Sequence, residues 1–164
     1  MKWNLGCGFD IKEGWLNTNG LEHPPVNGAV YMDVLKVDDS MIGKIDYVLI
    51  NHVLCVLSYD EVDRALANIL QYLKDGAVIE VIDFDMVKAF ENYKAKDHEG
   101  FPGFLGSIDE AFCKSIIGYG RKSIYTPYLM AEKFRHIGFN DVEILSHSEH
   151  DLRPKESLIV RAIK

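Results

Sequence analysis

Gly6 and Gly8, separated by one residue, are the first residues of the chain whose spacing suggests a ligand-binding turn. We interpret residues 3–5 before them as the end of a short strand. Glycine adopts positive φ without a Cβ clash and allows a ligand to approach the backbone closely. A strand that runs directly into G-x-G is typical of the nucleotide pocket of an open α/β sheet, although an ordinary strand-to-loop turn gives the same pattern.

Acid–base candidates follow two later apolar runs. His52 comes after the run at residues 45–50, and Asp83 and Asp85 come after the run at residues 77–82. The carboxyl ends of parallel strands share one edge of a sheet, so these side chains could reach the same pocket and orient an amine or hydroxyl substrate. The alternative is structural: His52 would bind backbone at a helix start, and the aspartates would cap the next helix.

Tyr119, Arg121 and Lys122 end a segment, residues 97–123, that contains five glycines and interrupts the alternation of strands and helices. We interpret this segment as an insertion on the substrate side of the pocket. The three side chains could hold an anionic or aromatic substrate, or they could form an ordinary solvated loop.

Metal-binding spacing is absent from the sequence. Cys7, Cys55 and Cys113 form no C-x-x-C pair, and only His147 and His150 lie close together among the six histidines. We therefore expect neither a disulfide framework nor a zinc site, and the free cysteines fit a reducing, cytoplasmic compartment.

The composition is that of one globular domain over residues 1–164, with 48% hydrophobic residues. No apolar run is long enough to span a bilayer, and no secretory signal opens the chain, so no membrane partner is expected. The formal net charge of -7 disfavours broad electrostatic binding to nucleic acid.

Strand and helix patterns alternate along most of the chain. The predicted strands are residues 3–5, 15–17, 29–32, 45–50 and 77–82, followed by an antiparallel closing pair at 141–145 and 157–162. The predicted helices begin after the caps Ser58, Asp85 and Thr126, and the first of them ends at Asp75 and Gly76. This order predicts a Rossmann-like α/β sandwich of three layers, with a mostly parallel sheet.

The first crossover is unusually short. After the glycine turn at residues 6–8, only residues 9–14 lead to the second predicted strand, whereas parallel strands normally need a dozen or more connecting residues with a helix. The first crossover helix is therefore predicted to be missing or reduced to one turn.

Several motifs occur in an order that resembles class I S-adenosylmethionine-dependent methyltransferases, most closely the small group with L-G-C-G followed by G-W-x-N-x-D. The motifs are L-G-C-G at 5–8, G-W-L-N-T-N at 14–19, D-V-L at 33–35, I-D-Y-V at 45–48, N-H-V-L at 51–54, Y-L-K-D-G-A at 72–77, S-I-Y-T-P at 123–127, I-G-F at 137–139 and K-E-S-L at 155–158. The resemblance covers nearly the whole chain. It implies a seven-stranded sheet with an antiparallel C-terminal strand and accounts for the shortened crossover.

The resemblance also implies cofactor contacts for S-adenosylmethionine and its product S-adenosylhomocysteine. The glycine turn would lie against the amino-acid part of the cofactor, the residue ending the second strand would bind the ribose, and the acid after the third strand would meet the adenine. The residues at these positions, with one more beside the methionine moiety, are Gly6, Cys7, Gly8, Asn19, Asp33, Val34 and Asn51.

Two positions depart from the family pattern. Asn19 stands where the family usually has Asp or Glu, and exchanging a charged for a neutral hydrogen bond loses about 1 kcal/mol. On this ground Asn19→Asp is expected to tighten cofactor binding several-fold. Cys55 stands where the family often has Glu.

The function implied by the resemblance is methyl transfer to a small-molecule, sugar or peptide acceptor. A methyltransferase-like scaffold without activity is the alternative, favoured by Asn19 and the small size. A NAD-dependent oxidoreductase is the third option, but Ile11 occupies the third glycine position of G-x-G-x-x-G. The oligomeric state stays open, with a homodimer as one option.

Overall fold

The computed structural model describes residues 1–20, 23 and 26–164. Seven strands form one sheet in the order β3-β2-β1-β4-β5-β7-β6, in which β7 runs antiparallel to both of its neighbours and the other pairs are parallel. The strands are β1 (Lys2–Leu5), β2 (Leu16–Asn19), β3 (Val30–Tyr31), β4 (Ile45–Asn51), β5 (Leu73–Phe84), β6 (Asn140–Ile144) and β7 (Ser157–Ile163). The predicted Rossmann-like fold class is thereby confirmed.

Four α-helices accompany the sheet in the part of the chain that the structure describes. They are α1 (Tyr59–Tyr72), α2 (Met86–Ala95), α3 (Ile108–Ile117) and α4 (Pro127–Ile137), and short 3-10 turns lie at Asp39–Met41, Leu54–Val56, His98–Gly100 and Gly118–Gly120. None of these helices combines the length and apolar character that a membrane span requires.

The main core lies between one face of the sheet and the helices α1 and α4. Val62, Leu66 and Ile69 of α1 are fully buried there, as the helical spacing predicts. Ser58 and Glu61 form the predicted capping box, and Thr126 caps α4 with Pro127 in its first turn. Local sequence signals therefore determine where both helices start.

The predicted end of α1 at Asp75 and Gly76 is wrong. The helix ends at Tyr72, and β5 begins at once because Leu73 pairs with Ile45 of β4. The register between these strands then shifts, and Gly76 lies in the irregular part of β5 with a φ of 75°. Gly76 therefore allows a kink in β5. Pairing with the neighbouring strand determines this role, and the local helix-cap pattern does not predict it.

A pair of buried asparagines replaces the missing crossover helix. Asn4 of β1 donates from Nδ2 to Oδ1 of Asn17 on β2 (3.0 Å) and to the Asp10 carbonyl (2.7 Å). Asn17 Oδ1 also accepts from the Lys12 amide, and its Nδ2 donates to the carbonyls of Lys12 and Trp15. These bonds hold the loop between the two strands against the sheet without a helix.

The opposite face of the sheet carries a smaller core made of Leu49, Ile82 and Ile159. The side chains that pack on it belong to loops and strands and include Trp15 and Tyr47. Beside them the fully buried Glu80 pairs with Arg161 at 2.6 Å and accepts a hydrogen bond from Ser148, so its buried charge is compensated.

The segment of residues 97–123 adds α3, which packs on α2 at the carboxyl end of β5. Phe84, Ala89, Phe101 and Ala111 form a separate buried cluster there. The chain then passes through the 3-10 turn Gly118–Gly120 and reaches the carboxyl edge of the sheet.

Removing the Asn17 side chain tests whether the asparagine pair sustains the short crossover. Asn17→Ala deletes all four hydrogen bonds of that side chain and leaves one N–H of the buried Asn4 amide unpaired, while the other still donates to the Asp10 carbonyl. We expect a loss of about 2–3 kcal/mol in the free energy of unfolding, measured by chemical denaturation. The exposed Asn140→Ala is the control and should stay within about 0.5 kcal/mol of wild type; equal effects of both variants would contradict this role.

Candidate functional site

A cavity of about 600 Å³ lies at the carboxyl edge of the sheet. It is bounded by the ends of β1 and β2, by the segments that follow β3 and β4, and by the turn before Lys122. Seven of the residues singled out in the sequence line it, namely Gly6, Asn19, Asp33, Val34, His52, Tyr119 and Lys122. The other six, Cys7, Gly8, Asn51, Asp83, Asp85 and Arg121, are not among the lining residues.

Gly6 has a conformational and a steric reason to be glycine. Its φ of 65° lies in the left-handed region, and a Cβ at this position would overlap Cγ2 of Val53. Val53 follows β4 and also lines the cavity. Sequence reasoning missed Val53, because this contact joins residues that are far apart in the chain.

Asn19 closes the glycine turn from the neighbouring strand. Its Oδ1 accepts from the Gly8 amide at 2.8 Å, and its Nδ2 donates to the Gly8 carbonyl at 3.1 Å. The buried Cys7 donates its amide to the Thr18 carbonyl, and burial raises the pKa of its thiol. Cys7 and Gly8 therefore stabilise the turn through these bonds and do not line the cavity themselves.

The turn at Asp33 and Val34 is fixed to α1. Asp33 accepts from the Leu35 amide at 3.0 Å, and its other oxygen lies 3.3 Å from the Lys36 ammonium. The Val34 carbonyl accepts from the buried Asn68 of α1 at 2.9 Å. Sequence reasoning did not single out Asn68. Its position on the inner face of α1 is the one feature of the sequence that could have indicated this contact.

Asn51 and His52 point in different directions at the end of β4. The Asn51 side chain donates to the His150 carbonyl at 3.1 Å, which ties β4 to the loop before β7. His52 lines the cavity and adopts a φ of 54°, a conformation that is uncommon for a residue with a side chain.

Asp83 near the end of β5 and Asp85 directly after it both accept hydrogen bonds from backbone amides. Asp83 is fully buried and accepts from the amides of Cys55 and Phe84, at 3.1 Å and 2.7 Å. Asp85 caps α2 by accepting from Val87 at 2.9 Å. Burial raises the pKa of both carboxyls. The geometry thus favours the capping interpretation for Asp85 and a structural contact for Asp83.

Cys55, one of the two departures from the family pattern, meets Asp83 in the interior. Its amide binds Asp83, and burial beside that carboxylate raises the pKa of the Cys55 thiol. A longer acidic side chain at position 55 would place a second carboxylate next to Asp83. The cysteine at this position avoids a second buried carboxyl group beside Asp83.

The three residues at the end of the 97–123 segment separate in space. Tyr119 and Lys122 line the cavity, and Tyr119 has a positive φ of 56°. Arg121 turns inward, where its guanidinium lies 4.2 Å from the centre of the Phe84 ring and donates to the Ser115 carbonyl. In the described residues no group of histidines, cysteines and acids is arranged to hold a metal ion.

Comparison with known proteins gives a result at the level of structure. No family model and no curated protein matches the sequence. Solved structures do match: a SAM-dependent methyltransferase from Archaeoglobus fulgidus superposes with a TM-score of 0.64 at 12% identity, over 99% of this chain and 85% of that one.

Two further solved structures agree with the first. A SAM-dependent methyltransferase from Thermotoga maritima, described as a possible histamine N-methyltransferase, gives a TM-score of 0.61 at 14% identity over 99% of this chain and 81% of that one. The CMeT domain of the citrinin polyketide synthase gives 0.63 at 7% identity, and this chain spans only 45% of it. The chain therefore has the class I S-adenosylmethionine-dependent methyltransferase fold.

Gly6→Ala tests the close contact between the glycine turn and Val53. The new methyl group would overlap Cγ2 of Val53, whereas Gly14, with a φ of 76°, has open space around it. We expect Gly14→Ala to cost about 1–2 kcal/mol from its backbone conformation alone, and Gly6→Ala to cost clearly more. A double-mutant cycle with Val53→Ala, measured by chemical denaturation, should recover the excess. Equal costs at both glycines would exclude the contact.

Asn19→Asp tests the second bond of Asn19 to the glycine turn. The carboxylate keeps the acceptor for the Gly8 amide but sets an oxygen against the Gly8 carbonyl, where the amide now donates. We expect about 1–2 kcal/mol lower stability, with Asn19→Ala lower again. The repulsion from the Gly8 carbonyl is present with and without ligand, so it lowers stability and leaves the several-fold gain in affinity for S-adenosylhomocysteine that the charge predicts. Unchanged stability of Asn19→Asp would contradict the structure-based expectation.

Proposed function

We propose that this protein binds S-adenosylmethionine in the cavity and transfers its methyl group to a small-molecule, sugar or peptide acceptor. One observation carries the proposal. In a methyltransferase fold, four of the seven residues expected from the family pattern to contact the cofactor line a single cavity at the carboxyl edge of the sheet; these are Gly6, Asn19, Asp33 and Val34.

The chemistry of the cavity wall fits the parts of such a cofactor. The bare backbone at Gly6 leaves space for an amino-acid moiety, and Asp33 with Val34 offers an acceptor and an apolar surface to an adenine ring. The ammonium of Lys122 and the carboxylate of Glu61 at the same cavity could bind charged groups. The volume of about 600 Å³ lies in the range of ordinary ligand sites.

Asn19 can contact a ribose although it is bonded to Gly8. A carbonyl oxygen has two lone pairs, and the Gly8 amide uses one of those on Oδ1. The other lone pair faces the Cys7 thiol at 3.6 Å, a weak donor that can turn to the Gly8 carbonyl instead, so this lone pair can accept from a ribose hydroxyl. The Asn19 side chain can thus bind the glycine turn and the ligand at the same time, at the position where the family usually has an acidic residue.

The bound cofactor would supply a methyl group that is already activated on a sulfonium. The residues of the chain then have to orient the acceptor and exclude water, and such positioning can contribute roughly 7–11 kcal/mol. The net charge of -7 argues for an acceptor other than nucleic acid. A cytoplasmic location and a homodimer remain our proposals from the sequence.

A scaffold without activity is the second candidate. It is favoured by one observation: Asn51, Asp83 and Asp85, which were expected at the reacting end, bind backbone groups of the protein. Binding of the cofactor separates the two candidates, because a scaffold need not retain it.

Calorimetric titration with S-adenosylhomocysteine tests the proposed function. We expect a dissociation constant in the micromolar range, about -8 kcal/mol, and a loss of tenfold or more in Asp33→Ala, which removes the acceptor at the adenine position. Asp75→Asn is the control. That side chain is fully exposed and lies near the start of β5, at the opposite edge of the sheet from the cavity. Absence of heat at millimolar ligand would refute the proposal and favour the scaffold, and preferential binding of NAD would indicate an oxidoreductase.

A further inference from the structure

A second cavity, of about 320 Å³, lies on the face of the sheet that is opposite α1. A right-handed crossover would place a helix between β1 and β2 on this face, and the short crossover has no such helix. Residues of β1, β4, β5 and β7 form the base of the cavity, and the loops before β2 and β7 border it. It shares no described lining residue with the cavity at the carboxyl edge. The missing helix therefore leaves a separate space on the sheet.

The strand register places the side chains at the base of this cavity in one row. Lys2 of β1 pairs with Tyr47 of β4, and Tyr47 pairs with Val78 of β5. Paired residues of neighbouring strands project from the same face of a sheet. Arg161 of β7 pairs with Glu80, which lies two residues after Val78 and therefore on the same face. The sheet thus brings two cationic side chains and a phenol ring to one cavity.

Three rings form the aromatic wall of the cavity. The ring centres of Trp15 and Tyr47 are 5.6 Å apart, and the ring planes are almost perpendicular at 82°. The His150 ring lies 5.9 Å from Trp15 and 6.4 Å from Tyr47, and the hydrogen bond from Asn51 to the His150 carbonyl fixes its position in the loop. Perpendicular rings offer a flat ligand both a ring face and a ring edge for packing.

The cationic groups at this cavity keep donors for a ligand. The Lys2 ammonium forms no hydrogen bond or ion pair with the described residues and lies 5.2 Å from the centre of the Trp15 ring. Arg161 donates from Nε and Nη2 to Glu80, and its Nη1 has no such partner in the described part of the chain. The other acidic side chain, Glu149, is 86% exposed, so water screens its charge. The carboxylate that lies inside is therefore already bound, whereas two cationic donors remain.

We propose that this cavity is a second binding site, which takes a small aromatic carboxylate. The ring of the ligand packs against Trp15 and Tyr47, and its carboxylate accepts from the Lys2 ammonium, with Nη1 of Arg161 as a further donor. The volume of about 320 Å³ lies at the lower end of the range for ligand sites, which suits a single or fused ring. This site goes beyond the proposed methyl transfer and does not depend on it.

A cationic aromatic ligand fits the same cavity poorly. The ammonium groups of Lys2 and Lys12 already lie 5.2 Å and 6.0 Å from the centre of the Trp15 ring. A third cation at this ring would be repelled by both. A neutral ring could pack on the same wall but would leave the Lys2 ammonium without an acceptor. The charge of the ligand is therefore the property that distinguishes the proposed site from a merely apolar crevice.

Indole-3-acetate tests the site, with the neutral indole-3-acetamide and the cationic tryptamine as matched probes. Each is titrated into the ¹⁵N-labelled full chain, and the indole N–H signals of both tryptophans are followed in ¹H–¹⁵N spectra. Trp3 Nε1 donates to Thr18 at 2.8 Å in the core, so its signal is the internal reference. We expect indole-3-acetate to shift the Trp15 signal with a dissociation constant about fivefold lower than those of the other probes. Equal affinities, tighter binding of tryptamine, or an unmoved Trp15 signal at millimolar probe would overturn the proposal.

Two charge variants locate the carboxylate of the probe. Lys2→Gln should weaken indole-3-acetate about fivefold and leave indole-3-acetamide unchanged, because it removes the charge and keeps a polar tip. Glu149→Gln should tighten indole-3-acetate, since it removes the acid that borders the cavity. Lys114→Gln, on the exposed side of α3, is the control and should change neither affinity. Equal effects of Lys2→Gln and Lys114→Gln, or probe-induced shifts centred on Gly6 in the other cavity, would overturn the proposal. No cofactor is present, so the outcome is independent of the proposed function.

Discussion

The closure of a very short parallel crossover is the constraint on which the rest of this structure depends. Residues between β1 and β2 are too few for a helix, and two buried asparagines, Asn4 and Asn17, hold the loop against the sheet instead. Because this arrangement fixes the register of β1 and β2, Gly6 and Asn19 lie next to each other at the carboxyl edge of the sheet. The cavity wall is therefore a consequence of how the crossover is closed.

At that edge both backbone and side-chain groups shape the wall of the cavity. The glycine turn is shaped by Asn19 from one side and by Val53 from the other, and the turn after β3 is anchored to α1 through Asn68. The ends of β4 and β5 are different, because the polar side chains there are largely buried and His52 Nδ1 has no partner in the described residues.

Features that depend on neighbouring residues in sequence could be predicted. The capping box at Ser58, the start of α4 at Thr126 and the alternating closing strands are of this kind, and the ordered motifs added the sheet topology. Features set through space could not be predicted. Gly76 has the pattern of a helix cap but serves a strand irregularity, since pairing with β4 begins at Leu73.

The same distinction separates the parts of the candidate site. Strand ends are visible in the sequence, so the positions of Gly6, Asn19, Asp33 and Val34 at one edge followed from the predicted topology and the family pattern. Side-chain direction is not visible: Asn51 turns to the His150 carbonyl, and Arg121 turns to Phe84, because loops distant in sequence supply their partners.

We propose that the cavity at the carboxyl edge is the cofactor site. Mapping of backbone amide shifts in ¹H–¹⁵N spectra during titration with S-adenosylhomocysteine tests it most directly. We expect the largest changes at Gly6, Gly8, Asn19 and Val34. Changes centred on the opposite face of the sheet, around Trp15 and Tyr47, or no changes at saturating ligand, would contradict it.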